Sequence, residues 1–396
     1  MSELLLRGGR LWRPGAPLET ADLLLRDGVI AAIGPAAAPE AETIALDGMI
    51  VLPGLVNAHC HLDKTLWCGP WVPHSSDGAL ASRIANGEGR RAELGLPSAE
   101  YASALLERMI TRGTTRVRSH ADIDPEVGLG GVEAIAEAAA RHAGRVDVET
   151  VAFPQGGLVS RPGTAGLMEE ALKAGAGVVG GLDPAGVDRD PVRHLDVVFG
   201  LAERYGAKVD VHLHDRGSLG AWQFELIIER TKATGLRGRV TISHGYALGE
   251  LDPDRQRRLA DALADAGVHL ATCANFSEPV QPLALLRAAG AGVALGSDGV
   301  RDLWTPYGDG DMLRQTMQVA SRGAFYRDED IEAALEAATR GGARLVGADD
   351  RGIAVGAPAD LVVVPGQAAA EAVMSVPPRA LVIKAGTVVA RDGALV

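Results

Sequence analysis

Cysteine is scarce in this sequence. Cys60, Cys68 and Cys273 are the only three in 396 residues, an odd, low count that needs no disulfide framework. Aromatic residues make up 4%, too few for a stacking platform along single-stranded nucleic acid. Basic charge is outweighed: 39 Lys and Arg face 51 Asp and Glu, for a net charge of −12 and a pI near 5.4. That balance argues against nucleic acid or an anionic membrane surface as the main partner. No apolar run reaches the roughly 18 residues of a membrane span. Met1-Ser2-Glu3-Leu4 lacks the basic start and small-residue cleavage site of a signal peptide, so a soluble, cytoplasmic protein is expected. No Gly-x-Ser-x-Gly elbow is present, and Cys60 has no base near it except ligand-type histidines, which disfavours nucleophilic catalysis. What is abundant is apolar surface: 47% hydrophobic and 23% charged residues specify a folded chain with a large core.

The two ends differ from the middle. Leu4–Arg10, Ala21–Arg26 and Val29–Ile33 are short apolar runs broken by Gly, Pro and Asp, with Asp27-Gly28 as a hairpin signal. Asp360–Val364, Ala380–Lys384 and Thr387–Arg391 read the same way. The expectation is one small β-sandwich built from residues 1–54 and 347–396, its two parts pairing in space. Residues 55–346 alternate instead. Apolar, β-rich runs occur at Leu55–His61, Thr115–His120, Val146–Phe153, Val178–Leu182, Lys208–His214, Val240–His244, Val268–Cys273 and Val293–Leu295. Helix-spaced stretches lie between them, among them Ala102–Thr111, Val132–His142, Pro191–Tyr205, Phe224–Ala233 and Arg255–Ala266. Eight strands alternating with helices predict an α/β fold of the (β/α)8 TIM-like barrel type. A doubly wound open sheet is the rival; it usually has fewer strands, and no Gly-rich phosphate loop follows any strand here. Gly87–Gly95 reads as surface loop.

Several of the ten histidines fall at one kind of place. His59 and His61 close the first strand, His212 and His214 the fifth and His244 the sixth, while Asp298 follows the eighth. The C-terminal strand ends of a barrel share the face on which its active sites sit. Residues spread over some 240 positions are thus predicted to converge. His59 and His61 are two apart on a strand, so both imidazoles point to one side. Such a pair can grip a single ion, and a borderline-soft cation takes nitrogen and carboxylate ligands while keeping a place for water. A lone strand-end histidine is more often a hydrogen-bonded core residue; paired histidines on two strands, with His244 and Asp298, make that reading improbable.

Pro53-Gly54-Leu55-Val56-Asn57-Ala58-His59-Cys60-His61-Leu62-Asp63-Lys64 resembles the entry signature of the amidohydrolase superfamily, and Gly356–Val363 resembles its returning β-sandwich segment. His61–Lys64, Val151–Gly157 and Ser243-His244 resemble the cytosine deaminase branch. Asp210–His214 is most similar to its triazine-degrading members, the N-isopropylammelide amidohydrolases. The superfamily's two-metal barrels use a carboxylated Lys at the end of strand four. Here that strand ends Gly181-Leu182-Asp183-Pro184, so the resemblance implies one divalent transition metal, Zn²⁺ or Fe²⁺, bound by His59, His61, His212 and Asp298. A metal there would lower the pKa of its water toward neutrality and supply hydroxide. Asp298 would take the water's proton and pass it to a leaving nitrogen, and His244 would orient the hydroxide or stabilise its charge. Cytosine deaminases are expected to carry a Glu three residues past the strand-five ligand; here Asp215 stands there and His214 is the better proton donor, with an ordinary pKa near 6.5.

Further candidates are weaker. Lys64 would reach a substrate carbonyl, or else pair with Asp63 at the surface. Gln155 would read an amide edge or cap a turn; Asp183 would contact substrate or cap the next turn. Trp67, Trp71, Trp222 and Trp304 are expected in loops near the face, sandwiching a flat ring or anchoring loops. His120 is expected to support the ligands, whereas His74, His142, His194 and His269 are set aside. At Gly299 relatives are expected to have a polar side chain facing substrate, which points to a different or bulkier substrate. The leading expectation is an aminohydrolase (deaminase) acting on the exocyclic C–N bond of a pyrimidine, triazine or pterin type ring. The alternatives are a ring-opening hydrolase of the hydantoinase or dihydroorotase kind and a catalytically silent barrel that acts as a binding protein. The partner expected is a small heterocycle, with no nucleic acid and no membrane; a homo-oligomer is compatible with these features.

Overall fold

The computed structural model describes residues 3–35, 38, 40–76, 78–275 and 278–396. Its centre is an eight-stranded parallel sheet with helices between the strands. The strands are β1 (Leu55–Cys60), β2 (Thr114–Asp122), β3 (Asp147–Phe153), β4 (Val178–Leu182), β5 (Lys208–Leu213), β6 (Val240–His244), β7 (Val268–Thr272) and β8 (Val293–Leu295). They neighbour one another in chain order, all in parallel register. Closure comes at the top, where Asp298 bridges Cys60 and its N–H donates to the His59 carbonyl at 3.0 Å. This is the (β/α)8 barrel expected from the alternation, and the predicted strands match to within a residue or two. The match is good where strands are buried on both faces, as in β4, β6 and β7, since these read as near-continuous apolar runs; β3 is buried only over Val151–Phe153.

Local chemistry sets the helix ends. Asp190 caps helix Pro191–Tyr205 by accepting from the Arg193 N–H at 3.1 Å, and Gly206 ends it at φ 61°. Asp252, Pro253 and Gly267 repeat the pattern around Pro253–Ala266.

The chain ends form one nine-stranded sheet. Ile50–Pro53 pairs antiparallel with Leu361–Val364, joining the N-terminal strands to the C-terminal ones. Asp27 and Gly28 turn the hairpin between Glu19–Arg26 and Val29–Ile33 at φ 51° and 81°, positive at both positions as a tight hairpin needs. Gly54 alone separates this sheet from β1, and a Cβ there would collide with Thr115. The sequence reading missed the strands Glu42–Ala45, Ile50–Pro53 and Ala394–Leu395.

One expectation is corrected. Gly87–Gly95 is not all loop: residues 80–90 form a helix, Leu80–Arg90. None of its residues is fully buried, so no run of core positions marks it in the sequence. Among the described residues, no helix is long and apolar enough to cross a membrane.

Candidate active site

The strand tops deliver their side chains to one place. His59 and His61 from β1 and His120 from β2 meet His212 from β5; a nitrogen of each lies within 4.8 Å of the others. His59, His244 and Asp298 form a second such group. Nε2 of His59 and Nε2 of His61 lie 3.6 and 3.5 Å from the same oxygen, Oδ1 of Asp298. Asn275 donates to its other oxygen, Oδ2, at 2.8 Å. Asp183, His244 and Asp298 have positive φ values of 35°, 67° and 59°, a conformation that costs energy in any residue but glycine and tends to cluster at functional sites.

The histidines are short of partners. Burial pushes the pKa of His61, His212 and His244 well below the ordinary imidazole value. His59 Nε2, His61 Nδ1, His120 Nε2 and both His212 nitrogens are buried without a hydrogen-bond partner. An orphaned buried polar atom costs about 1–3 kcal/mol, so four histidines sharing this condition at one point make a candidate ligand set. Burial would raise the pKa of Asp298, but its bond to His59 and the imidazoles gathered around it hold it well below the carboxylate range. Neutral imidazole nitrogens around an ionised carboxylate are the donors a divalent transition metal accepts.

A second layer fixes His59. The Ser243 hydroxyl donates to Asp210 Oδ1 at 2.6 Å, so its oxygen accepts the Nδ1–H of His59 at 2.9 Å, leaving Nε2 as a lone pair aimed at the cluster. Asp210 in turn receives the guanidinium of fully buried Arg118 at 2.9 Å. His120, expected as mere support, sits inside the cluster, its ring 4.2 Å from that of His59.

His214 projects into the same space. Its Nδ1–H donates to Asp183 Oδ2 at 2.7 Å, and its ring stacks on His244 at 4.6 Å. Burial would depress its pKa, but Asp183 outweighs burial and raises it. Asp215 turns away, accepting from the Gly186 N–H at 2.9 Å and from Gln223 at 2.8 Å. Asp183 does not contact the open space: its oxygens are taken by the side chain and N–H of His214 and by the Asp215 N–H.

Above the cluster opens a cavity of ≈ 540 Å³, within the range of small-molecule sites. Lys64, Gln155 and Trp304 line it with His212, His214 and His244. Lys64 is not a surface residue paired with Asp63; it is largely buried, bonded to Asp122 at 2.9 Å and to Gln155. Trp67 and Trp71 do not line the cavity, and neither does Trp222, which stands on helix Gly217–Thr234 rather than in a loop. Gly299 lacks a side chain because Asp302 fills that space; a Cβ would collide with its carboxylate. The sequence reading missed Asn275, Tyr246, Asp302 and Arg83, and it set His74 aside although that residue lines the wall. Asn275 lies three residues past β7, so the strand-end rule, applied to all eight strands, would have found it.

The comparisons agree with this geometry. Residues 92–390 match the model of a family described as the amidohydrolase family. The chain is 29% identical over 360 residues to the N-isopropylammelide isopropyl amidohydrolase of Pseudomonas sp. strain ADP, covering 90% of this chain and 89% of that protein. It is similar over its whole length to the crystal structure of N-isopropylammelide isopropylaminohydrolase from Burkholderia multivorans. That match has a TM-score of 0.95 and 43% identity and covers 100% of both chains. The 5-methylcytosine deaminase of Klebsiella pneumoniae, bound to phosphonocytosine, superposes with a TM-score of 0.85 at 28% identity, covering 98% of each chain. With a barrel of this order, a histidine cluster at its strand tops and a family match spanning most of its length, the chain belongs to the amidohydrolase family.

Proposed function

We propose that the protein is a mononuclear metal-dependent aminohydrolase that cleaves the exocyclic C–N bond of an amino-substituted pyrimidine, triazine or pterin type ring. The observation that carries this reading is the cluster of orphaned imidazole nitrogens of His59, His61, His120 and His212, with Asp298 beside His59 and His61, beneath a cavity into which His214 points. The names of the relatives, two N-isopropylammelide hydrolases and a 5-methylcytosine deaminase, support the same class of bond. His59, His61, His212 and Asp298 would hold one Zn²⁺ or Fe²⁺; imidazole suits both. When bound, such an ion lowers the pKa of a water at that point and so supplies the nucleophile.

The chain's own groups do the rest. Asp298 holds a proton from the attacking water on its carboxylate and returns it to the leaving nitrogen; Asn275 keeps that carboxylate in place. His244, stacked on His214, orients the nucleophile. His214 is fixed by Asp183 and remains protonated to higher pH than a free imidazole. It donates to the ring nitrogen on which charge would otherwise build in a water-poor site. Gln155 and Lys64 bind the polar edge of the ring, and Trp304 covers a face. With three unpaired cysteines, all free thiols, the reading places the enzyme in the cytoplasm.

The test is a panel of aminopyrimidines, aminotriazines and pterins assayed for release of ammonia or alkylamine. Amine release with the ring intact is expected. Ring-opened products alone would move the protein to the cyclic-amide hydrolases, a reading that the absence of Lys from the end of β4 opposes.

A further inference from the structure

The cavity wall carries one charge that no described residue balances. Three cationic side chains of Lys or Arg line it: Lys64, Arg83 and Arg216. Lys64 pairs with Asp122 at 2.9 Å. Arg216 pairs with Glu250 and, at 2.8 Å, with Glu278. Arg83 has no carboxylate within ion-pair distance among the described residues, and its Nε is buried without any hydrogen-bond partner. A guanidinium that is partly desolvated and unpaired is costly, because each buried N–H forgoes water without gaining an acceptor.

Arg83 is also held where it is. It lies in helix Leu80–Arg90, which roofs the mouth. Gly87, one turn on and on the same face, lies against Trp304: a Cβ there would sit 3.5 Å from the indole nitrogen. Beyond it, Arg161 forks Glu88 at 2.6 and 2.9 Å, and Arg91 reaches Asp124 at 2.6 Å. Both pairs tie the helix to loops of the barrel, so the backbone that carries Arg83 is fixed before any ligand arrives, which reduces the ordering cost of binding.

We infer that Arg83 binds an anionic substituent on the substrate, and that the preferred substrates are amino-heterocycles bearing a carboxylate. This rests on the aminohydrolase reading for the ring itself. A carboxylate matches the planar fork of a guanidinium with two parallel hydrogen bonds. A single guanidinium with no second free cation beside it suits one negative charge rather than the two of a phosphate ester. The cavity, at ≈ 540 Å³, has room for a six-membered ring over the histidines and a substituent reaching the roof.

The experiment measures binding, by calorimetry on the metal-loaded enzyme, of ring carboxylates and their matched carboxamides. Aminopyrimidine and aminotriazine scaffolds would carry the pair at each open position. The expected result is at least one pair in which the carboxylate binds about 10- to 100-fold tighter, the range of a charge-assisted hydrogen bond. Arg83→Met removes that preference and Arg83→Lys keeps part of it. The inference is overturned if no carboxylate binds better than its carboxamide, or if the preference survives in Arg83→Met. Failure of the underlying reading shows separately, as tight carboxylate binding without amine release from any ring.

Discussion

At the level of single residues, the decisive pair is His214 and its neighbour Asp215. Both stand just past the end of β5 at Leu213, and the alternation of the strand carries over into them, the first toward the histidine cluster and the second to the opposite side. The distances follow that alternation, with His214 on Asp183 at 2.7 Å and Asp215 on Gly186 and Gln223. His214→Asn should lower kcat about a hundredfold, the low end of what a positioned general acid contributes, without loss of metal. Asp215→Asn should do much less. A crippled Asp215→Asn enzyme with a near-normal His214→Asn enzyme would return the acid role to the position where cytosine deaminases are expected to use Glu. Ser243 offers a different test, since it acts only through His59. Removing its hydroxyl releases the Nδ1–H that fixes the imidazole tautomer, so Ser243→Ala should weaken metal retention about 10- to 100-fold, as loss of the hydrogen bond behind a metal-ligating histidine does. Competition with a graded chelator series measures this without reference to turnover; unchanged retention would make the Asp210–Ser243–His59 chain a packing feature only.

At the level of elements, the loop after β3 depends on one buried carboxylate. Asp188 accepts from the N–H groups of Leu158 and Val159 at 3.1 and 2.8 Å, from Ser160 through both N–H and hydroxyl, and from His194 at 2.6 Å. Burial alone would raise its pKa, but the His194 and Ser160 bonds outweigh burial and hold it well below the usual range. A depressed carboxylate contributes stability that is present above its unfolded pKa of about 4 and disappears as pH falls through the folded value. Asp188→Asn should therefore cost about 2–4 kcal/mol at neutral pH, and its deficit against wild type should shrink steadily below about pH 4. Chemical unfolding at several pH values measures it; a deficit independent of pH would mean that the amide reproduces the network. Elements also decide what the sequence could reveal. The barrel strands were legible because burial on both faces writes continuous apolar runs, and Pro191–Tyr205 because Asp190-Pro191 and Gly206 mark its ends. Helix Leu80–Arg90 was not, because it packs no buried residue and its place over the mouth is set by ion pairs to distant loops.

At the level of the whole molecule, the site is where separate parts of the chain are fastened together. Its ligand candidates come from β1, β5 and the turn after β8, and the β8 turn is also where the barrel closes on β1 through Asp298 and His59. That convergence was legible in the sequence because the strand-end rule needs only strand positions. The neighbours of Arg83, Asp302 and Trp304 were not, since loops from distant positions meet there by packing that no local pattern records. Several buried imidazole nitrogens at a strand junction have no protein partner, so an ion bound by them should stabilise the barrel as a unit as well as equip it for chemistry. An ion that binds the folded chain and not the unfolded one adds about 4 kcal/mol at a thousandfold excess over its Kd. On the proposed mononuclear reading, the protein as purified should carry about one transition metal per chain by elemental analysis. Stripping it with a chelator should lower Tm by several degrees, and readdition of Zn²⁺ or Fe²⁺ should restore it. Two metals per chain would overturn the mononuclear reading. No metal even after supplemented expression, with a Tm indifferent to chelator, would leave the histidine cluster as a structural core and favour the silent barrel.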